Sequence, residues 1–234
     1  MKIITILFIL LISINITQAW NSKTHQLIVE ELYYSIPYEL ESKLDLELMR
    51  NGSTSPDLIF HDQRTHHYPT SYNKTIEWLN KTKEQIKNND YENASYSFGV
   101  VTHYISDSFV GPHYISKEDP KLHTKFEYQI EKISTKCNNS SFDINKTLEK
   151  ASIDNQQDWY SWLKTKNKEI PEKELDGAMD LLFPLFLETF NTSCEERKTE
   201  IVYEPFSFNP RLIIYLAIII MLMITIIKLK FSKN

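Results

Sequence analysis

The chain has 234 residues, four glycines, two cysteines and a formal net charge of −5. An acidic balance of this kind gives no long-range attraction to nucleic acid or to an anionic lipid surface. Because glycine is scarce and no run alternates clearly between polar and apolar residues, the sequence argues against a β-sheet protein. The expectation is an all-α fold.

The first nineteen residues predict a signal peptide. Lys2 gives a short positive start, residues 3–16 form an apolar run, and Thr17-Gln18-Ala19 is typical of a cleavage site. Cleavage after Ala19 would make Trp20 the first residue of the mature chain, with a free α-amino group.

A second apolar segment lies near the other end of the chain. Residues 212–227 carry no charge and predict a transmembrane helix slightly shorter than the usual ~20 residues. A buried core helix is the less favoured alternative, because the run has no polar face. Three lysines lie in the predicted cytoplasmic tail, residues 228–234, and indicate that this end faces inward.

These two segments together predict a single-pass type I protein of the cell membrane. Its domain would occupy residues 20–195 outside the cell, and a stalk at residues 196–211 would lead to the membrane. Without the basic residues of the signal peptide, the membrane flank and the tail, the outer part has a net charge of −10. Bound divalent cations would offset part of this charge locally.

The exported part contains both cysteines, Cys137 and Cys194. An oxidising environment makes a disulfide between them the default, and two free thiols are the alternative. Asn-x-Ser/Thr sequons indicate a glycoprotein, although the asparagine-rich composition would produce several by chance. They begin at Asn51, Asn73, Asn80, Asn93, Asn138, Asn139, Asn145 and Asn191.

Apolar residues at helical spacing follow Ser22, a candidate N-cap, and Pro37 ends this first helix. A second helix is expected over about 38–50, ending at Asn51-Gly52. The polar segment 51–72, with two prolines, is expected to be a long loop of functional importance. Further helices are predicted over about 73–89, 92–110, 119–135, 144–165 and 172–190.

The most informative stretch is V-T-H-Y-I-S-D-S-F-V-G-P-H-Y-I-S-K-E-D-P-K-L-H-T-K-F-E, residues 101–127. It contains two pairs at i,i+4 spacing, which lie on one face of a helix and can bind a single ion. The pairs are His103 with Asp107, and His123 with Glu127. One such pair alone is more often a surface hydrogen bond, so the prediction needs both pairs and His113 at the Gly111-Pro112 break. Nitrogen and oxygen ligands without cysteine allow zinc, manganese or iron.

Taken together, these residues resemble the zinc-dependent phospholipase C family and the related S1/P1 nucleases, which share an all-helical fold. The resemblance covers most of residues 20 to about 135. In the family a tryptophan opens the mature chain, a histidine opens the first helix, and an aspartate precedes a histidine in a long loop. The matching positions are Trp20, His25, Asp57 and His66, with His67 as an alternative to His66.

The resemblance implies three Zn²⁺ ions per chain. One ion would take Asp57, His66, His103 and Asp107. A second would take His113, His123 and Glu127. The third would take Trp20 and His25 and share Asp107. Asp57 is also implied as the catalytic residue that orients the attacking water or accepts its proton.

The activity implied is that of an extracellular, membrane-anchored zinc phosphodiesterase that acts on phospholipid headgroup esters. Two alternatives stay open: an S1/P1-like nuclease for single-stranded nucleic acid, and a surface module that holds zinc without turnover. Family members that act on choline lipids carry an acidic residue soon after the tryptophan and a tyrosine beside the loop aspartate. Lys23 and Leu58 stand there instead, which favours an anionic headgroup.

Overall fold

The computed structural model describes residues 22–130, 133, 137 and 142–195, all within one compact unit of the chain. This described part is helical and has no strand, which confirms the all-α prediction. Its α-helices are α1 (Ser22–Tyr34), α2 (Tyr38–Glu41), α3 (Leu46–Ser55), α4 (Thr70–Lys87), α5 (Tyr91–Asp107), α6 (Pro120–Glu127), α7 (Ile144–Thr165) and α8 (Glu169–Thr189).

Several predicted features lie outside the described residues. They are the signal peptide, Trp20, the stalk, the transmembrane helix and the cytoplasmic tail. Among the residues that are described, no helix is long and apolar enough to cross a bilayer.

Helix α5 is the central element, and its second half, from Ser97 to Asp107, is buried throughout. It lies so close to α3 that side chains are excluded at two crossing points. A Cβ added to Gly52 would lie 2.1 Å from the carbonyl oxygen of Tyr96, and one added to Gly99 would lie 2.2 Å from that of Met49. Glycine is therefore required at both positions. The close contact fixes where α5 crosses α3.

This contact explains why the prediction of a helix end at Asn51-Gly52 was wrong. Gly52 is buried against α5 rather than exposed in a turn, so α3 continues to Ser55. Burial of the helix face outweighs the low intrinsic helix propensity of glycine. The α3 helix begins only at Leu46, because the Asp45 side chain caps it by accepting a hydrogen bond from the N–H of Leu48 at 2.9 Å.

The segment expected to be one long loop, residues 51–72, is mostly helical. After α3 a π-helical turn covers Pro56–Phe60 and a 3₁₀ turn covers Gln63–Thr65. The next helix, α4, starts earlier than predicted, at Thr70. By contrast, α6 ends at Glu127 rather than near residue 135.

Two apolar clusters support the fold. The larger cluster joins α1, α3, α5 and α8 through buried residues such as Ile28, Met49, Phe98 and Phe186. In the smaller cluster Phe126 of α6 packs against Trp159 and Trp162 of α7. The smaller cluster therefore attaches to the domain the helix that carries His123 and Glu127.

The predicted disulfide is confirmed. Cys137 and Cys194 are bonded, with Cα atoms 5.7 Å apart and a sequence separation of 57 residues. The bond ties the chain after α6 to the segment that follows α8, and Glu195 is also joined to α1 by a hydrogen bond from its N–H to Ser35 O.

Candidate metal centre

The helices bring eight of the nine sequence-predicted ligands together, and the ninth, Trp20, lies outside the described residues. Each set of three has its ligand atoms within 4.8 Å of one another. The sets are His25, Asp57 and His103; His66, His103 and Asp107; and His113, His123 and Glu127. The last set matches the ligands implied for one ion. The other two sets share His103, and together they combine the four ligands implied for another ion with His25, a ligand implied for the third.

Asp107 is the centre of the cluster and has no exposed surface. One of its oxygens, Oδ1, lies 3.4 Å from His25 Nε2. The other, Oδ2, lies 2.8 Å from His66 Nδ1 and 3.4 Å from His103 Nε2. A single carboxylate thus faces three imidazoles that come from α1, α5 and the loop before α4.

Several buried atoms of this cluster have no well-directed hydrogen bond within the described part of the chain. They are both carboxylate oxygens of Asp107, Oδ1 of Asp57, and the Nε2 atoms of His25 and His103. A buried polar group without a partner costs about 1–3 kcal/mol, and native proteins contain few of them. Their convergence on one point, with histidine nitrogen and carboxylate oxygen as the donors, fits a divalent cation such as zinc.

The second ring nitrogen of three histidines is already occupied. Nδ1 of His103 lies 2.8 Å from the carbonyl oxygen of Ser53, and Nδ1 of His113 lies 3.0 Å from that of Asp107. Nδ1 of His25 lies 3.3 Å from the hydroxyl of Ser106. A carbonyl can only accept, so Nδ1 carries the hydrogen in His103 and His113 and the Nε2 lone pair is directed into the site. Partners of this kind orient histidine ligands in metal proteins.

His66 is turned the other way round by a residue that the sequence reasoning missed. Asp62 Oδ1 lies 3.3 Å from His66 Nε2, and Asp62 Oδ2 accepts a hydrogen bond of 2.6 Å from the Tyr104 hydroxyl. Nδ1 of His66 therefore faces Asp107. The i,i+4 spacing of Asp62 and His66 was the available signal. His67 belongs to none of the three sets, and its ring lies 6.0 Å from that of Tyr114.

In the set formed by His113, His123 and Glu127, a further acidic residue, Glu118, contacts His123. The sequence reasoning did not identify Glu118. His123 Nε2 lies 2.8 Å from Glu127 Oε1, and its Nδ1 lies 3.2 Å from Glu118 Oε1. His113 Nε2 is 4.0 Å from the same Glu127 oxygen. The 3₁₀ turn at Gly111–Tyr114 places His113 here, as the Gly-Pro break predicted.

Burial sets the charge states of most of these side chains. It lowers the pKa of His25 to about 4 and that of His113 to about 3, so both are neutral near pH 7, as metal ligation requires. Burial would raise the pKa of Asp107, but the surrounding histidines hold it well below its usual range. For His66 the effect of burial is outweighed by Asp107 and Asp62, which raise its pKa to about 10.

Asp57 differs from Asp107 in its environment. Burial raises the pKa of Asp57, and the negative charge of Asp107 raises it further. Burial also raises the pKa of Glu127, to about 7. Carboxyl groups with raised pKa values beside histidines with lowered ones are typical of functional sites. A bound cation would favour the ionised form of each carboxyl group.

The all-helical fold and the buried histidine–carboxylate cluster define a protein with a candidate multi-metal centre. The family model for zinc-dependent phospholipase C matches residues 24–184, and the chain belongs to that family. The matched segment includes all eight described candidate ligands. Comparisons with curated proteins and with solved structures gave no significant match.

Proposed function

We propose that this protein is a zinc-dependent phosphodiesterase that hydrolyses the headgroup ester of phospholipids, as an extracellular enzyme anchored in the cell membrane. The observation that carries the proposal is the group of buried ligand atoms around Asp107, which make no well-directed hydrogen bond to a described residue and converge on one point. A structural zinc site in a protein is usually closed by four protein ligands. The three sets here offer three ligands each, so a tetrahedral ion bound by any one set would keep a fourth position for water or substrate.

Each ligand set would hold a different zinc ion. His113, His123 and Glu127 would hold one zinc ion, and the sets around Asp107 would hold the others, three ions in all with Trp20 contributing. Zinc, when bound, supplies a Lewis acid that lowers the pKa of water and stabilises negative charge on phosphoryl oxygens. The uncharged imidazoles of His25 and His113 bind without adding positive charge of their own.

Asp57 has the position expected of the group that handles the proton of the attacking water. Its Oδ1 has no hydrogen bond to a described residue, and the residue is 6% exposed, at the edge of the cluster. With a cation bound, Asp57 would be ionised and able to accept a proton. In the reaction the water oxygen bonds to phosphorus, the Asp57 carboxylate takes a proton from that water, and the P–O bond on the glycerol side breaks. The proton held by Asp57 then passes to the leaving glycerol oxygen. The products are diacylglycerol and a phosphorylated headgroup.

The headgroup preference follows from two exposed residues near the site. Lys23 is exposed on α1, two residues before His25, and Leu58 directly follows Asp57. A lysine repels a quaternary ammonium group and attracts an anionic one, so we propose a preference for anionic headgroups. The variant Lys23→Glu should shift the rate ratio toward choline lipids. A wild-type protein that prefers choline lipids would contradict this proposal.

The test of the function uses the full mature chain in detergent. It is offered phospholipids with choline, ethanolamine, serine and glycerol headgroups, and single-stranded DNA, each with and without a chelator. Chelator-sensitive release of phosphorylated headgroup that is lost in Asp57→Asn supports the proposal. Release of nucleotides instead would assign the site to the nuclease branch. A folded, zinc-loaded protein that releases neither would be the surface module that holds zinc without turnover.

The membrane location has a separate test. Intact cells that express the chain with a C-terminal tag are treated with protease. The proposal expects loss of the domain, protection of the tag, and retention of the tagged fragment in the membrane after alkaline extraction. A tag that is cleaved together with the domain would contradict the type I orientation.

A further inference from the structure

The π-helical turn beside the metal cluster exposes three large apolar side chains in succession. Leu58 is 45% exposed, Ile59 is 64% exposed and Phe60 is 36% exposed. Exposed apolar residues are normal when they are scattered singly, whereas a contiguous group marks an interaction surface. We name Leu58, Ile59 and Phe60 the apolar turn.

The apolar turn is held in place from both sides. The ring of Phe60 stacks on Trp78 of α4, with centroids 5.6 Å apart and planes 10° apart. Trp78 in turn packs edge-on against Tyr96 of α5. On the other side the N–H of Asp62 donates to Pro56 O at 3.3 Å. The side chains are therefore presented outward by a fixed segment.

The backbone after the turn shows the same constraint. His61 has a left-handed conformation with φ of 53°, which a non-glycine residue adopts at a cost of about 1 kcal/mol. Its Nδ1 lies 2.9 Å from the carbonyl oxygen of Asp57 and closes the turn. A segment with this conformation keeps Leu58 and Ile59 exposed to water, together with the part of Phe60 that Trp78 does not cover.

The apolar turn is directly adjacent in sequence to Asp57 of the candidate metal centre. Asp57 is the first residue before the turn, and its side chain faces His66 and the metal ligands. The turn thus buries the carboxylate of Asp57 in the cluster and exposes the next three side chains on the surface. Whatever binds these side chains is held within one or two residues of the reacting groups.

Two cations lie beside the apolar turn. Lys81 Nζ lies 4.3 Å from the centroid of the Trp78 ring on which Phe60 stacks. Arg64, in the following 3₁₀ turn, is exposed. Neither makes an ion pair with another described residue. Apolar side chains flanked by an aromatic residue and by cations are the combination that favours the boundary between lipid headgroups and acyl chains.

We propose that the apolar turn inserts into the surface of a phospholipid bilayer, with Trp78, Lys81 and Arg64 at the level of the headgroups. Insertion would bring the metal cluster to the depth of the phosphodiester, so that a lipid reaches Asp57 without leaving the bilayer completely. The inference rests on the proposed function in its choice of lipid as the partner. The net negative charge of the chain makes apolar burial, rather than long-range attraction, the driving force.

The first test needs no catalysis. A single cysteine is introduced as Ile59→Cys or, as a matched control, as Ile153→Cys, which replaces an isoleucine of similar exposure, 57%, on α7. Both native cysteines are held in the disulfide, so an environment-sensitive dye reacts at the new position. The full chain is placed in phosphatidylcholine vesicles that contain nitroxide-labelled lipid. Quenching should be about threefold stronger at position 59 than at position 153. Equal quenching would overturn the proposal.

The second test separates docking from chemistry. Hydrolysis of long-chain phospholipid in vesicles is compared with hydrolysis of a short-chain phospholipid below its critical micelle concentration. The ratio of the two rates should fall about tenfold in Ile59→Asp, the order expected when a large apolar side chain is no longer buried, and should stay unchanged in Ile153→Asp. An unchanged ratio in Ile59→Asp would contradict insertion. If the wild type hydrolyses neither lipid, the proposed function fails and the dye measurement alone decides docking.

Discussion

His103 Nε2 lies 3.4 Å from Asp107 Oδ2, one helical turn along α5, and neither side chain has any exposed surface. Neither of these two atoms makes a well-directed hydrogen bond to a described residue. Two ligand atoms held side by side on one helix, with His66 Nδ1 2.8 Å from the same Asp107 oxygen, are arranged to bind a cation.

Replacement of Asp107 should empty the sets that surround it. Asp107→Asn keeps the shape of the side chain and removes the charge that His25, His66 and His103 share. We expect the variant to retain zinc only at the set that contains His113. Zinc per chain, measured by elemental analysis after desalting, tests this expectation.

The matched control for that experiment is Asp154→Asn, because Asp154 is an exposed aspartate of α7. It should bind as much zinc as the wild type. Equal zinc content in Asp107→Asn and Asp154→Asn would show that the cluster around Asp107 is not a metal site.

Asp62→Asn should weaken zinc binding without removing a predicted ligand. The carboxylate of Asp62 joins the Tyr104 hydroxyl to His66 and so orients the His66 ring. Loss of such a partner typically lowers metal affinity by about 10–100-fold. Competition with a fluorescent chelator measures the affinity. An affinity within twofold of the wild type would mean that Asp62 does not position His66.

Glu174→Gln should change how stability depends on pH. Glu174 is fully buried on α8, where its Oε2 accepts a hydrogen bond from the N–H of Gly111 at 3.0 Å. Burial raises the pKa of Glu174 well above its usual value, although the Gly111 N–H opposes this shift. The folded state therefore holds the proton more tightly than the unfolded state does. The contribution of this group to the free energy of unfolding decreases as pH rises above about 4.5, by about 1.4 kcal/mol per pH unit until the folded pKa is reached.

A glutamine side chain does not ionise, so its contribution to stability does not change with pH. Glu174→Gln should therefore become more stable relative to the wild type as pH rises. Urea denaturation at pH 5 and pH 7.5 gives the two differences in free energy. Glu149→Gln, on the exposed face of α7, is the control and should show no such trend. A stability difference that stays constant with pH would show that Glu174 ionises normally in the folded protein.

Trp162→Ala should weaken the packing of α6 against α7. It should therefore also lower the zinc affinity of the set that includes His123 and Glu127. Trp162 stacks on Trp159 at 5.1 Å, packs edge-on against Phe126 of α6, and donates from Nε1 to Gln129 Oε1 at 2.6 Å. Truncation of a buried tryptophan costs about 3–5 kcal/mol of folding stability.

The control Trp162→Phe keeps an aromatic ring in the cluster and loses the hydrogen bond, which should cost only about 1 kcal/mol. Thermal unfolding gives the stabilities, and zinc titration gives the affinities. If Trp162→Ala binds zinc as tightly as Trp162→Phe does, then α6 does not depend on this cluster for its position.

The sequence could predict the fold class and much of the cluster because both depend on local signals. Helical periodicity and scarce glycine predict an all-α domain. The i,i+4 spacing places His103 beside Asp107 as soon as α5 is a helix, and the Gly-Pro break places His113 after it. The more distant His25 and Asp57 were suggested by the resemblance to a family, and the structure brings them to the same cluster.

Other features depend on contacts that no local signal contains. Gly52 resembles a helix end in sequence, yet its burial against Tyr96 keeps it inside α3. Asp62 contacts the outward-facing ring nitrogen of His66, and Glu118 contacts that of His123. Each contact exists only because the other nitrogen of the ring faces the metal cluster. That orientation is decided by packing across separate elements.

Zinc titration of the metal-free full chain tests whether the cluster around Asp107 is a catalytic zinc site. The wild type and Asp107→Asn are titrated side by side, with zinc binding and release of phosphorylated headgroup followed in the same samples. We expect hydrolysis by the wild type to increase as zinc fills the cluster, and Asp107→Asn to bind less zinc and stay inactive. A folded wild type that binds no more zinc than Asp107→Asn, or that hydrolyses phospholipid equally well without zinc, would show that the cluster is not a catalytic zinc site.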